Sequence, residues 1–289
     1  MKTLINRQTF LSIAMGLTLL AAQVAQGSFA SINLGPAADY SVLGLSGPSG
    51  QGSTIHLSSG PLRVNGNVGV GDFGALNFDG GGQINGRVDA SSSAALNTGA
   101  NTITGGTHKP TDFSSINSSV QSTINTINSL SPTQTFNSIT SPISLTGNGG
   151  LNVISIGQDI HLSGGNLTLT GNASDVFVFK IAGTMELSGN TNIVLNGGLT
   201  AGNVIWDFIG SGSQFQTSGQ SQTAGIFLAP ERVININGGV HNSEFISGMS
   251  LSFQSNPVIV PEAPTTLLLI FGALIATGGA MRRRRTREI

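Results

Sequence analysis

Alternating apolar and polar residues recur through the middle of the chain and dominate its pattern. The runs at 62–70, 151–157, 175–181 and 203–210 are clear examples. Alternation with period two is typical of β-strands that bury one face. Glycine and asparagine separate the runs, and both readily adopt the left-handed backbone of tight turns. The runs are unevenly spaced, so the pattern predicts an irregular solenoid or a large β-sandwich rather than a strict repeat.

One segment, at about residues 111–130, departs from this alternation. Its apolar residues recur every three or four positions, which is the period of an amphipathic helix. These residues are Phe113, Ile116, Val120, Ile124, Ile127 and Leu130. Thr111 or Asp112 is placed to cap the start of the helix, and Pro132 prevents its continuation. We therefore expect a single helix that lies along the β-structure and covers one apolar flank.

The first thirty residues have the layout of a secretory signal peptide. Lys2 and Arg7 provide a positive start, and an apolar stretch follows them. Small residues that fit a cleavage site come next, at 25–27 or at 28–30. The sequence thus predicts that residues 1–30 direct the protein to export.

A second apolar stretch, at residues 265–281, ends in the four consecutive arginines Arg282, Arg283, Arg284 and Arg285. As a helix it would be about 26 Å long, slightly short of the ~30 Å hydrocarbon core of a bilayer. Arginine side chains can extend to the interface and make up the difference. Because basic residues stay on the cytoplasmic side, we expect residues 265–281 to cross the membrane, residues 282–289 to form a cytoplasmic tail, and the preceding chain to lie outside.

The residues just before this stretch are Val260, Pro261, Glu262, Ala263 and Pro264. A Pro-Glu motif followed by an apolar helix and an arginine cluster resembles the PEP-CTERM sorting signal. That resemblance implies an exosortase-type transpeptidase of a Gram-negative bacterium as a partner and only a transient stay in the inner membrane. The third position of the motif is Ala263 rather than proline, which leaves the cleavage position open.

The body of the chain also resembles known families. The segments at 132–171, 175–183, 203–210 and 224–248 are similar to two groups of secreted modules, the choice-of-anchor A (collagen-binding-like) family and the ice-binding-like family. The resemblance implies a right-handed parallel β-solenoid with an adjacent helix and a location at the cell surface. With the termini, the expected architecture is mainly β: an irregular right-handed parallel β-solenoid over 31–259 with one flanking α-helix, an N-terminal signal helix and a C-terminal transmembrane helix.

Composition and charge narrow the range of partners. The chain has no cysteine and only 9% charged residues, so neither a disulfide framework nor thiolate chemistry is expected. Between residues 31 and 259, five basic residues stand against 11 acidic ones, which leaves the body near −6. A mildly acidic body argues against nucleic acid as a partner.

The residue types that carry catalysis or bind metals are sparse. The four histidines, His56, His108, His161 and His241, are far apart, and no two have metal-ligand spacing. No nucleophile-elbow, zincin or phosphate-loop motif is present. Asp159 and His161 alternate on an expected strand, so they share one face; we expect a surface pair, within reach of a hydrogen bond. We predict no catalytic residue, no metal and no cofactor.

Two short threonine pairs are the candidates for a ligand-binding face. Thr102 and Thr104 alternate on one expected strand, and Thr168 and Thr170 alternate on another. Ice binding requires a flat face of regularly spaced small groups, and the two members of each pair point the same way. Threonine is also simply a good strand former, and the other strands carry Asn, Ser and Asp instead.

Aromatic residues alternate within the apolar runs, so we expect them to pack the core rather than to stack on carbohydrate. They are Phe177, Phe179, Trp206, Phe208 and Phe227.

Three functions follow from these features. The main hypothesis is an exported, exosortase-sorted, non-enzymatic cell-surface or extracellular-matrix protein whose polar exterior meets extracellular polysaccharide. The alternative is an adhesin or an ice-binding module. A polysaccharide-active enzyme is the third; it would require acidic residues that converge from several coils on one cleft.

Overall fold

The computed structural model describes residues 32–47, 50–58 and 60–260, which form 25 short β-strands and one α-helix. The strands are β1 (Tyr40–Gly44), β2 (Thr54–Leu57), β3 (Arg63–Val64), β4 (Asn67–Val70), β5 (Ala75–Phe78), β6 (Gln83–Ile84), β7 (Val88–Ala90), β8 (Ala95–Asn97), β9 (Thr102–Ile103), β10 (Thr107–His108), β11 (Gln134–Phe136), β12 (Ile143–Thr146), β13 (Leu151–Ile156), β14 (Ile160–Ser163), β15 (Asn166–Thr170), β16 (Val176–Ile181), β17 (Met185–Ser188), β18 (Asn192–Asn196), β19 (Val204–Phe208), β20 (Phe215–Thr217), β21 (Thr223–Ala229), β22 (Ile234–Asn237), β23 (Val240–Ser247), β24 (Ser250–Gln254) and β25 (Val258–Ile259). Helix α1 is Ser114–Ser129, and short 3-10 turns occur at Gly35–Asp39 and Ala201–Asn203.

The strands stack into a solenoid with three faces. The helix face, covered by α1, has the order β10-β7-β4-β1-β23-β21-β19-β16-β13-β11. The amide face is the eight-stranded sheet β14-β17-β20-β22-β24-β2-β5-β8. The threonine face begins with β12-β15-β18, continues over the starts of β21 and β23, and ends with β25-β3-β6-β9. Every pair of these strands is parallel, which confirms the predicted parallel β-solenoid and excludes an antiparallel sandwich.

The coils do not follow one another in sequence order along the solenoid. The coils formed by β1 to β10 extend from the middle of the stack to one end. Helix α1 then carries the chain to the other end, and the coils formed by β11 to β25 return to the middle. The first and last coils therefore meet at a seam, where Val42 pairs with Phe245, Ile55 with Leu251, and β3 with β25. A helix of 16 residues is about 24 Å long, or about five strand spacings. Helix α1 therefore covers a little over half of the nine spacings that separate β10 from β11, and the segments on either side of it complete the return.

Stacked aromatic rings fill the interior between the faces. Trp206 is fully buried, with its ring 4.0 Å from that of Phe179 and 5.8 Å from that of Phe227. Phe215 continues the stack at 4.5 Å from Phe227. The indole Nε1 donates to the carbonyl of Ala224 at 3.0 Å, so the polar atom of the ring is also satisfied. The prediction that the aromatic residues pack the core is confirmed.

Helix α1 lies on the helix face through the apolar stripe expected from its sequence. Ile116, Val120 and Ile127 are buried against outward residues of the sheet such as Ile205 and Leu228. The helix is shorter than the predicted 111–130 because Phe113 takes the N-cap position and buries its ring.

Asp112 serves the start of α1 from just outside the helix. Its carboxylate accepts the backbone N–H and the hydroxyl of Ser114, each at 2.9 Å. These hydrogen bonds lower the pKa of the carboxyl. The cap position predicted for Thr111 or Asp112 is thus occupied by Phe113, and Asp112 bonds to the first helical residue from one position before the cap.

The predicted signal helix (1–30) and transmembrane helix (265–281) lie outside the described residues. Within the described ranges, no helix has both the length and the apolar character needed to cross a bilayer. Export and membrane anchoring therefore stay predictions from the sequence.

Candidate functional site

Both predicted threonine pairs lie on the threonine face and point outward. Thr168 and Thr170 lie on β15 and are half-buried, while Thr102 on β9 and Thr104 just after it are exposed. The two pairs are at opposite ends of this face, separated by seven strand spacings, or about 34 Å. They share one face, as required for a ligand surface, but they do not form one cluster.

The pair on β15 belongs to a larger flat array, which we call the threonine patch. Across β12, β15 and β18, Ser144 pairs with Thr168 and Val194 in one row. A second row holds Thr146, Thr170 and Asn196, and Asn166 pairs with Asn192 at the strand starts. The patch thus consists of Ser144, Thr146, Thr168, Thr170, Val194 and Asn196. Ser144 and Thr146 were not among the predicted ligand-face residues, although the alternation Ser-Leu-Thr at 144–146 repeats that of β15.

The patch owes its regular geometry to the apolar side chains beneath it. Leu145, Leu167, Leu169 and Ile193 point inward from the same three strands and are buried. Because side chains alternate across a strand, this packing fixes which residues face solvent.

The threonine face carries almost no charge. Among the described strands that form it, the one charged outward side chain is Arg63 on β3. The threonine patch itself has none. Its polar groups are therefore hydroxyls and a side-chain amide, with methyl groups from threonine and valine between them.

A concavity interrupts the threonine face next to the patch. It has a volume of about 340 Å³ and lies between β18 and the starts of β21 and β23, lined by Leu195, Gln222 and Val240 among others. The flat surface therefore ends at β18. The half of the face that carries Thr102 and Thr104 is a separate surface beyond this break.

The amide face differs in chemistry although its strands are also in register. Its central outward row is His161, Glu186, Gln216, Asn235, Ser252, His56, Asn77 and Asn97. Several of these groups bond to one another, as in the hydrogen bond of 2.8 Å from Asn97 Nδ2 to Asn77 Oδ1. This face is a ladder of polar side chains that are partly satisfied among themselves.

Asp159 and His161 are both exposed, and each contacts a different partner. His161 Nδ1 lies 3.1 Å from Glu186 Oε2 on the neighbouring coil, and Asp159 accepts the backbone N–H of Thr184 at 2.8 Å. Neighbours on adjacent coils are about 4.8 Å apart, closer than the next residue but one along a strand. His161 therefore pairs across coils.

A buried carboxylate anchors the first coils beside α1. Asp89 accepts the Tyr40 hydroxyl at 2.8 Å and Arg87 Nε at 2.7 Å, and His108 Nδ1 lies 3.2 Å away. Burial and this hydrogen bond raise the pKa of Tyr40. All the groups are engaged with one another on the helix face, which is the arrangement of a structural network.

Three other titratable groups are enclosed and strongly perturbed. Burial raises the pKa of Asp207 to about 7 and that of Glu244 to about 8, with nearby Asp39 adding to the latter. Burial lowers the pKa of His241 to about 4. Asp207 and Glu244 lie on β19 and β23, with β21 between them, so they do not form a carboxylate pair. Among the described residues, no three histidines or acids are grouped to hold a metal ion.

Of the predicted sorting and membrane residues, Val260 is described and is 38% exposed. Its backbone N–H donates to the carbonyl of His241 at 2.8 Å, so the motif begins where the last coil ends. Pro261, Glu262, Ala263 and Pro264 lie outside the described residues, as do Arg282 to Arg285.

Comparison with known proteins matches the chain to one family model, described as Ice-binding-like, over residues 50–258. An ice-binding protein of Flammulina populicola is 35% identical over 97 residues, which is 33% of this chain and 38% of that protein. An ice-binding protein of Flavobacterium frigoris (strain PS1) is 28% identical over 102 residues, 34% of each chain. The alignments thus span only about a third of the length of these curated relatives.

Solved ice-binding proteins share the fold. One from an Antarctic Flavobacteriaceae bacterium has a TM-score of 0.58 at 20% identity, covering 82% of this chain and 48% of that one. One from the Antarctic ascomycete Antarctomyces psychrotrophicus has a TM-score of 0.55 at 20% identity, covering 81% and 100%. An ice-binding protein of Shewanella frigidimarina gives 0.53 at 18% identity, covering 81% and 98%.

Proposed function

We propose that the chain, which belongs to the Ice-binding-like family, binds ice through the threonine patch of its solenoid. Both curated relatives described above are named as ice-binding proteins, and neither name indicates a catalytic activity. These comparisons favour the ice-binding alternative over the main hypothesis drawn from the sequence. The choice-of-anchor A resemblance stays a prediction.

The observation that carries the proposal is the geometry of the patch. Parallel strands about 4.8 Å apart, with outward side chains about 7 Å apart along each strand, make a regular two-dimensional array. Threonine presents a hydroxyl that can hold a water molecule and a methyl group that packs against it. The buried leucines beneath hold the array rigid, so little conformational entropy is lost on binding a solid surface.

The chemistry of the patch also favours ice over a dissolved ligand. Charged side chains orient the water around them strongly, and the patch has none. On the amide face, by contrast, Glu186 and His161 contact each other and the asparagine amides of neighbouring coils are bonded together. The amide face therefore presents fewer unbonded polar groups in a repeating arrangement than the threonine patch does.

The proposal predicts a face-specific effect of bulky side chains. We expect Thr168→Tyr and Thr170→Tyr to reduce thermal hysteresis and ice-recrystallisation inhibition of the full-length protein by at least fivefold. Ser252→Tyr and Asn77→Tyr, which alter the amide face in the same way, should leave both activities unchanged. Circular dichroism and the fluorescence of Trp206, the only tryptophan in the chain, would verify that each variant is folded.

Two results would contradict this proposal at different levels. If the wild-type protein shows neither activity at high concentration, the body does not bind ice. If the amide-face variants lose activity and the threonine-patch variants keep it, ice binding stands but the face is wrong. The second pair at Thr102 and Thr104 can be tested in the same assay, and we expect a smaller effect there because the concavity separates it from the patch.

We further propose that the protein is exported and sorted, since the sequence supports this independently of ice binding. The domain order would be signal peptide 1–30, solenoid body 31–259, sorting motif 260–264, transmembrane helix 265–281 and basic tail 282–289. A transpeptidase would release the body from the inner membrane toward extracellular polysaccharide. Epitope tags before residue 260 and after residue 289 test this: retention of both tags on one membrane-bound chain in the native cells would contradict processing.

A further inference from the structure

A cleft of about 450 Å³ lies between helix α1 and the sheet of the helix face. The helix provides one wall, and the ends of β1 and β19 with the turn after β21 provide the other. Its apolar lining includes Leu45, Val120, Ile124 and Ile209. The volume is within the range of small-molecule sites, about 300–1,000 Å³.

Three buried oxygen atoms in the lining have no hydrogen-bond partner within the described chain. They are Asp207 Oδ2, Asn117 Oδ1 and Ser46 Oγ. Asp207 is only 2% exposed. A buried polar atom without a partner costs about 1–3 kcal/mol, and such atoms are few in native proteins. Three of them in one cleft indicate that a group with several hydrogen-bond donors completes the site.

The two cations nearest to Asp207 are engaged elsewhere. Lys180 lies beside it in the sheet register, but its ammonium donates to the carbonyls of Asn128 and Leu130 at the end of α1, at 3.1 Å each. Arg232 directs all its side-chain N–H groups at backbone carbonyls. The carboxylate of Asp207 therefore has no paired cation among the described residues.

We propose that this cleft binds a small organic cation with a primary ammonium group. An ammonium has three N–H donors and no acceptor, and the lining contains three unpartnered oxygens. Glu231, which also lines the cleft, adds a second negative charge. The apolar side chains Leu45, Val120 and Ile124 would pack against the alkyl part of the ligand.

The environment of Asp207 gives the proposal a pH dependence. Burial raises the pKa of this carboxyl to about 7, while the charges of Lys180 and Arg232 hold it down in part. The remaining charged group facing the cleft is Glu231, and α1 contributes neutral side chains. A cation interacts best with the ionised form, so binding should tighten as the pH rises from 6 to 8 and should release protons.

Calorimetric titration of the full-length protein with n-butylammonium chloride tests the site. At pH 8 we expect n-butylammonium to bind at least tenfold tighter than n-butanol, which has the same tail without the charge. Asp207→Asn should weaken binding at least tenfold, and Ile124→Trp should block it by filling the cleft. Glu186→Gln, which removes a carboxylate on the amide face, should bind like the wild type.

Equal binding of the amine and the alcohol, unchanged binding by Asp207→Asn, or no binding by the wild type would overturn the proposal and leave a water-filled cleft. If Asp207→Asn does not fold, the wild type still decides the question by NMR. The ammonium must then shift the side-chain amide signals of Asn117 and leave those of Asn77 unmoved. Neither measurement depends on whether the threonine patch binds ice.

Discussion

Arg232 is the most heavily bonded side chain of the solenoid, and its replacement gives a sharp test of what holds the coils together. The residue is 1% exposed. Its Nε donates to the carbonyl of Gly210 at 2.9 Å, and its Nη2 donates to those of Ala182 at 2.7 Å and Ile209 at 2.6 Å. Its Nη1 donates to the carbonyls of Gly183 and Ser213.

These five carbonyls lie in turns of successive coils. One turn follows β16, a second follows β19, and Arg232 itself follows β21. The carbonyl of Arg232 accepts the hydroxyl of Ser247, at the end of β23, at 2.7 Å. One guanidinium thus joins three coils through its side chain and a fourth through its backbone. Burial lowers the pKa of Arg232, but all five of its side-chain N–H donors are used by backbone carbonyls.

We expect Arg232→Met to destabilise the protein by about 3–5 kcal/mol. Methionine keeps much of the apolar stem, so the change mainly removes five hydrogen bonds, each contributing roughly 1 kcal/mol net. The replacement also removes the cost of burying the guanidinium charge, and water can reach some of the freed carbonyls. The sum of the five hydrogen-bond contributions is therefore an upper limit on the loss of stability. For a chain of this size the loss corresponds to a fall in Tm of roughly 10 °C. The stability of Arg232→Lys should lie between those of the wild type and Arg232→Met, because an ammonium has three donors instead of five.

Guanidinium chloride unfolding, followed both by the fluorescence of Trp206 and by circular dichroism, measures this effect. Coincident transitions from the two probes would establish that the coils unfold together. Arg63→Met is the matched control, since Arg63 is exposed on the threonine face and its loss should change stability by less than about 0.5 kcal/mol. If Arg232→Met also costs less than about 1 kcal/mol, the five hydrogen bonds do not stabilise the stack and the reasoning fails.

Two further predictions concern stability. Glu244→Gln should become more stable relative to the wild type by roughly 4 kcal/mol as the pH rises from 5 to 8.5, measured by urea unfolding. The reason is that burial raises the folded-state pKa of Glu244 from 4.5 to about 8, so the wild type loses stability as the carboxyl ionises. An unchanged stability difference between the two proteins would contradict this burial. Gly52→Ala should lower Tm by several degrees, because the new Cβ would lie 1.9 Å from the backbone carbon of Phe73. Gly157→Ala is the control and should leave Tm unchanged, because no atom lies nearer than 3.9 Å to its new Cβ. Equal melting temperatures of the two variants would argue against the close approach at Gly52.

The sequence predicted the strands, the helix and the core because these depend on local periodicity. Alternation placed Trp206 and Phe208 on the same inward side, and both are buried. The apolar stripe of α1 followed from the 3.6-residue period in the same way. These patterns depend only on residues that are close together in the sequence, so a single sequence displays them directly.

The seam could not be predicted from these patterns. The pairing of Val42 with Phe245 joins residues about 200 positions apart, and nothing in either strand specifies the other. For the same reason nothing in the sequence indicates Glu186, on the next coil, as the partner of His161. Alternation places the two members of each threonine pair on one side of their strand, but the distance between the pairs depends on where the helix returns the chain to the stack.

The contrast between two neighbouring buried charges connects stability with function in this fold. Arg232 satisfies every donor with a carbonyl of the stack, whereas Asp207, in the same region of the helix face, leaves Oδ2 without a partner. Both side chains are almost fully buried, so burial alone does not distinguish them. A buried charged group whose hydrogen bonds are all made within the fold has a structural role. A buried group with a shifted pKa and an unpartnered atom beside a cleft is better explained by ligand binding. By this reasoning the solenoid offers two separate surfaces, an uncharged flat patch suited to ordered water and an acidic cleft under the helix suited to a cation.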